Sequence, residues 1–210
     1  MTASTGLFSL KNISCRRSGR LLFQNLSFAL GASDVVHLAG PNGSGKTSLL
    51  RIMAGALPFE GEITWEGSSF LTNNHAARFS FLPSDDRSLK VLETGMENLR
   101  FWARLLSLPE TAADAALAAM DISDLADTPV KYFSAGQKRR LGLARVLLKV
   151  TPLWLLDEPL NGLDEASSLL FKKALDAHIA SGGMAVIASH LAIDPPPSGT
   201  LRRVQLGAAA

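Results

Sequence analysis

Gly40, Pro41, Asn42, Gly43, Ser44, Gly45, Lys46 and Thr47 fill every place of G-x-x-x-x-G-K-[ST], with Ser48 directly behind them. Glycines in this pattern let the backbone curl so that its N–H groups point inward at phosphate oxygens, beside the positive end of the helix that follows. Lys46 has the reach for β- and γ-phosphates, and the Thr47 hydroxyl can hold Mg²⁺. Such a string is a phosphate loop only if a strand enters it and a helix leaves it. The apolar run 34–39 supplies the strand, and 48–54 repeats apolar residues at helical spacing. The chemistry expected here is binding of a nucleoside triphosphate.

A second constellation lies at Asp157 and Glu158. Four apolar residues, 153–156, read as a buried parallel strand, and the two carboxylates appear where it emerges. In open α/β sheets, ligands bind outside the carboxyl ends of the strands, so Asp157 is expected to face the phosphates and hold Mg²⁺ through water. Glu158 is then placed to polarise the water that attacks the γ-phosphate. Pro159 leaves a blander alternative, an acidic strand end that starts a turn.

A third element is the run Phe133, Ser134, Ala135, Gly136, Gln137. Ser134 with Gln137 has the spacing of a capping box, and Leu141, Ala144, Val146, Leu147 and Leu148 continue an apolar helix face. A helix start built from small residues exposes free N–H groups to an anion.

Together these residues resemble the ATP-binding cassette (ABC) ATPases, whose signature L-S-G-G-Q stands here as Phe-Ser-Ala-Gly-Gln. The resemblance runs from residue 40 to 190. Asn161 to Asp164 matches the family's D-loop, and His190 ends an apolar strand where the family carries its switch histidine. What it implies is an α/β P-loop NTPase fold: a mostly parallel sheet core, an N-terminal antiparallel β region and a helical lobe. The whole chain, 1–210, is one ATP-binding domain on this reading, with its core at about 1–83 and 151–207 and its helical lobe at about 84–150. ATP with Mg²⁺ is the implied ligand pair, and Glu158 and His190 are the implied catalytic residues. The family also stacks two cassettes head to tail, so Ser134, Ala135, Gly136 and Gln137 would meet ATP held by a second copy. With every part present in one chain, a homodimer is the simplest assembly.

Shorter phrases narrow the likeness: Cys15 and the arginines after it, Leu22 with Phe23, Leu26 to Phe28, Pro129 with Val130, and the run 152–156. They are similar to the haem-exporter branch of the family, which serves c-type cytochrome maturation. The implied setting is peripheral, on the cytoplasmic face of the bacterial inner membrane and docked on integral membrane subunits. The segment 84–87 also resembles cassettes that serve drug, lipid or polysaccharide exporters. A low-turnover assembly or regulatory subunit is a third reading.

Bulk properties set limits. A net charge of +2 gives no electrostatic case for nucleic acid or an anionic membrane surface. Arg16 with Arg17, Arg139 with Arg140 and Arg202 with Arg203 read as scattered, solvated pairs. The single cysteine, Cys15, cannot form an internal disulfide, fits a reducing compartment and reads as structural. No apolar run approaches the roughly 20 residues of a membrane helix, and residues 1–6 lack a signal-peptide pattern.

The elements that must position these groups alternate strand and helix, implying a parallel sheet with right-handed crossovers. Strands are expected at 7–13, 21–30, 62–66, 153–156, 183–189 and 201–206, with a turn at 17–20 and a loop at 194–199. Helices are expected at 97–106 and 111–120, followed by the signature helix. Two departures from the family stand out. Glutamine occurs only at 24, 137 and 205, so the family's Q-loop glutamine is missing from 81–87; Asp85 or Asp86 could replace it, or simply begin a solvated loop. No aromatic residue stands ready to stack on adenine, and Arg16 or Arg17 is the nearest substitute. His37, His75 and His178 read as structural. Phe79, Phe81 and Trp102 read as core or as part of a partner groove.

Overall fold

The computed structural model describes residues 8–17, 19–70 and 75–207. Leu7 and Ser18, assigned above to the first strand and the first turn, lie outside them, as do residues 1–6. Contacts divide the chain into two compact units. One holds residues up to 81, 151–157 and 178 onward; the other holds 82–150 and 158–177.

In the first unit an antiparallel sheet has the order β2-β1-β4-β5, from β1 (Phe8–Arg17), β2 (Arg20–Leu30), β4 (Glu60–Trp65) and β5 (Ser68–Ser69). β1 runs past its expected end at 13 to Arg17, while β2 matches its expected span but for Arg20. Asn12 and Asn25 take left-handed conformations at φ 52° and 53° and bulge the ladder without ending it. The Ser27 hydroxyl accepts the Asn12 N–H at 2.8 Å, and Ser14 accepts that of Asn25 at 3.0 Å.

The second sheet has the order β6-β7-β8-β3-β9, built from β3 (Asp34–Ala39), β6 (Phe79–Leu82), β7 (Leu153–Asp157), β8 (Met184–Ala188) and β9 (Thr200–Gln205). The pairs β7·β8, β8·β3 and β3·β9 are all parallel. β7 and β8 are buried along their whole length, as strands covered on both faces must be. β9 closes one edge with Arg202 and Arg203 exposed, charges that discourage further strand pairing. Arg202 also pairs with the Asp34 carboxylate, so it is not simply a solvated arginine. Helix α1 (Lys46–Met53) packs on β7 and β8, and its Leu49, Leu50, Ile52 and Met53 join one core with Phe8, Ile13, Leu38, Leu155 and Val186. Cys15 lies in that core, where burial pushes its thiol pKa up against the pull of Arg17. Phe79 and Phe81 pack against the same core.

His178 earns its structural reading. Its ring stacks on Trp154, with centroids 4.0 Å apart and planes within 4°, and lies 3.0 Å from the Met184 carbonyl oxygen. A Cβ at Gly183 would stand 2.3 Å from that ring, which is why glycine precedes β8. Burial lowers the imidazole pKa, outweighing the bond to Met184 that raises it. Below about pH 6.5 the unfolded chain therefore takes up a proton that the folded chain resists, so the neutral ring's contribution is complete above 6.5 and is lost as pH falls. Urea unfolding between about pH 8 and pH 5 is expected to show a steeper acid loss for wild type than for His178→Gln. Identical slopes would sink the assignment.

The second unit contains α2 (Gly95–Leu105), α3 (Thr111–Ala119) and α4 (Ala135–Leu147). α2 starts earlier than apolar spacing indicates, because Thr94 and Glu97 form a capping box. Trp102 is half-buried, with the Arg145 guanidinium 4.9 Å from its ring centre. A last helix, α5 (Glu165–Ala180), begins in this unit.

Candidate functional site

The loop between β3 and α1 takes the shape its residues demand. Gly40 and Gly45 sit at φ 148° and 99°, where side chains are strained, and each also lacks room for one. A Cβ on Gly40 would stand 2.4 Å from the Leu206 carbonyl oxygen, and one on Gly45 would meet the Phe23 ring at 2.9 Å. Lys46 is buried beneath the loop, its ammonium donating to the carbonyls of Gly40 at 2.7 Å and Pro41 at 3.2 Å. Those bonds draw the loop around the ammonium. Pro41, Asn42 and Gly43 form its exposed rim, while Ser44 and Ser48 are buried and Thr47 is half-buried in the first turn of α1.

Strand register brings the other groups of the first unit to the same sheet edge. Asp157 pairs with Ala188, and Ala188 pairs with Leu38, so Asp157 lies two strand spacings, about 10 Å, from the strand that enters the loop. Asp157 is 1% exposed. A hydroxyl and a carboxylate are the hard oxygen donors that Mg²⁺ takes, completed by phosphate and water. Thr47 and Asp157 therefore fit that ion. Among the described residues no group of three or more His, Cys, Asp or Glu could hold a metal by itself.

His190 stands exposed one residue beyond Ser189, which extends β8 by donating its N–H to Leu38 at 3.4 Å. The His37 ring nitrogen lies 3.0 Å from the Ser189 carbonyl, so this buried histidine anchors the residue before His190. Sequence reading had given His37 no role beyond structure; only strand pairing reveals its neighbour.

In the second unit, Glu158 follows Asp157 at φ 51°, a left-handed conformation that costs a non-glycine residue roughly 1–2 kcal/mol. Strain of this kind collects where function over-determines the backbone. Ser134 caps α4 in the expected box: its hydroxyl accepts the Gln137 N–H at 3.2 Å, and the Gln137 side chain accepts the Ser134 N–H at 2.8 Å. Ser134 and Ala135 are exposed, so the helix start opens outward from its own unit. Gly136 has no space for a side chain, since a Cβ would stand 2.8 Å from the Gly162 carbonyl oxygen. Asp164 accepts the Ser167 N–H at 2.8 Å at the start of α5, and the Ser167 hydrogen bonds lower its carboxyl pKa.

One sequence reading is corrected here. Arg139 is not a solvated surface residue but is 6% exposed, donating to the Pro83 carbonyl at 2.7 Å and the Pro159 carbonyl at 3.4 Å. The signal was present in the spacing 139, 142, 143, 146, all buried along one stretch of α4. Charge hid it.

Asp85 accepts the Arg87 N–H at 3.3 Å and lies 3.5 Å from the Arg87 guanidinium, while Asp86 is exposed. That geometry is closer to a local loop than to a replacement glutamine. Arg16 and Arg17 are exposed at the end of the β1–β2 hairpin, paired with Leu21 and Arg20. On the first unit a cleft of about 570 Å³ is lined by Arg20, Leu22, Phe23, Gln24, Gln205 and Gly207 among others. It borders the phosphate loop, because Phe23 abuts Gly45 and Gly207 abuts Ser44.

The sequence profile of the ABC transporter family matches residues 23–161. A cytochrome c biogenesis ATP-binding export protein, CcmA, of Paramagnetospirillum magneticum is 44% identical, covering 98% of this chain and 98% of its own. A protein of the same description from Hahella chejuensis is 37% identical over 99% of each. Among solved structures, an ABC transporter ATP-binding protein from Pyrococcus furiosus shares the fold at a TM-score of 0.80 and 23% identity, covering 95% of this chain and 96% of its own.

Proposed function

The chain belongs to the ABC transporter family of ATPases, and from that premise we propose that it hydrolyses ATP as a homodimer to drive a haem-handling step of c-type cytochrome maturation. What carries the reading is full-length similarity to relatives described as cytochrome c biogenesis export proteins, supported by the presence of Lys46, Asp157, Glu158 and His190 in one chain. The phosphate-loop amides and Lys46 bind the triphosphate, and Gly40, Pro41, Asn42, Gly43, Ser44, Gly45, Thr47 and Ser48 shape or line that cradle. Thr47, and Asp157 through water, would hold Mg²⁺, which when bound screens phosphate charge. Glu158 orients and polarises a water whose oxygen attacks the γ-phosphorus. The bond from that phosphorus to the β–γ bridging oxygen breaks, leaving ADP and phosphate. His190, at the β8 edge, contacts the γ-phosphate.

The exposed Ser134 and Ala135, with Gly136 and Gln137, complete the site of a second copy, and Asp164 orders the D-loop beside them. The base enters the cleft along β2, where Leu22 and Phe23 offer apolar contact and Arg20 a guanidinium plane, with Arg16 and Arg17 on the neighbouring hairpin end. Among the described residues no helix is long and apolar enough to cross a membrane. The description of its relatives as export proteins supports integral membrane subunits that hold the dimer at the cytoplasmic face of the inner membrane.

The test is a haem-stained gel of membranes from a deletion strain. Loss of holo-cytochromes c, restored by wild type but not by Glu158→Gln, is the expected result. Unchanged cytochromes in the deletion would reject the haem reading, and restoration by both forms would reject the need for turnover.

A further inference from the structure

Arg139 has no part in the phosphate chemistry, yet it is a buried cation whose rigid guanidinium spans two separate segments of the second unit. One end meets the carbonyl of Pro83, which opens the segment where the family's glutamine is missing. The other meets the carbonyl of Pro159, the residue after Glu158. Proline fixes φ at both acceptors, which leaves ψ as the one torsion of each proline that can re-aim its carbonyl. A planar fork with donors at fixed angles transmits geometry in a way a flexible ammonium does not. Behind it, Arg145 is half-buried beside Trp102, its pKa pushed down to about 10 by burial and by the charge of Arg139.

We propose that Arg139 is a positioning residue that ties the 83–87 loop to Glu158, holding the left-handed Glu158 backbone in its hydrolytic geometry and doing the coupling otherwise assigned to the missing glutamine. The inference rests on Glu158 as the water-polarising group. Loop movement at Pro83 then changes turnover through Pro159, without passing through the bound nucleotide.

The experiment compares full-length wild type, Arg139→Lys, Arg145→Lys and Glu158→Gln for kcat, KM for ATP and thermal midpoint. Arg139→Lys keeps the charge but cannot span both carbonyls. It is expected to lose about tenfold or more in kcat, with KM within about twofold and a midpoint lowered no more than that of Arg145→Lys, as misplacement of a reacting group does. Arg145→Lys, which disturbs the same buried cluster, is expected to lower the midpoint without that selective kcat loss. Wild-type kcat in Arg139→Lys overturns the proposal, as does an equal kcat loss in both arginine variants. Failure of Arg139→Lys alone to fold assigns it a structural role and overturns the proposal too. If Glu158→Gln turns over normally, the reading beneath fails; if it is inactive while Arg139→Lys is normal, only the Arg139 inference fails.

Discussion

Glu158→Gln will leave ATP bound and all but abolish its hydrolysis. Glutamine keeps the size of glutamate and one hydrogen-bond acceptor, so water can still be located, but its amide cannot accept the proton that the attacking water gives up. Removing a positioned acid or base of this kind costs about 10²–10⁴-fold in rate. The substitution leaves the backbone at φ 51° unchanged in chemistry, so the strain at this position stays and the effect isolates the carboxylate. Single-turnover hydrolysis measures it directly, and a rate within about tenfold of wild type would remove Glu158 from the mechanism. The same variant loaded with ATP should run as a dimer in gel filtration, because hydrolysis is what lets the proposed sandwich open. A monomer under those conditions would count against the dimer.

Lys46→Ala is expected to act one step earlier, on binding. In the structure the ammonium satisfies the Gly40 and Pro41 carbonyls at 2.7 and 3.2 Å, so removing it both empties the loop's centre and discards the charge meant for phosphate. Charge-assisted hydrogen bonds contribute about 1.5–3 kcal/mol each, which puts the loss in ATP affinity at about tenfold to a hundredfold or more. Titration of ATP in the presence of Mg²⁺ checks it. An affinity within about threefold of wild type would mean that the loop amides alone carry the phosphates. The two variants separate the roles: Glu158→Gln binds without turnover, whereas Lys46→Ala fails to bind.

Much of this molecule is written in local pattern. The phosphate loop is readable because its glycines, lysine and threonine stand at fixed spacing between a strand and a helix; of its three glycines, Gly40 and Gly45 lack space for a side chain, while Gly43 has open space but a left-handed φ. The Ser134–Gln137 box is local chemistry over four residues and formed as its spacing predicts. Helix and strand ends were less legible. The Thr94–Glu97 box moved the start of α2, and pairing with Leu21 and Arg20 carried β1 beyond 13 to Arg17. At α2 a side chain bonded to backbone outweighed the apolar period that sets an element's apparent length, and at β1 the partner strand did.

By itself the sequence determined the phosphate loop, the acidic strand end, the signature helix and the family they jointly resemble, because each depends on residues close in the chain. Only the tertiary structure decided which distant groups meet. Parallel register set Asp157 level with Ala188 and Leu38, pairing placed His37 under Ser189, and burial turned Arg139 from an apparent surface charge into a clamp on two prolines. Those are contacts across strands and between segments 20 to 152 residues apart, and no local periodicity encodes them.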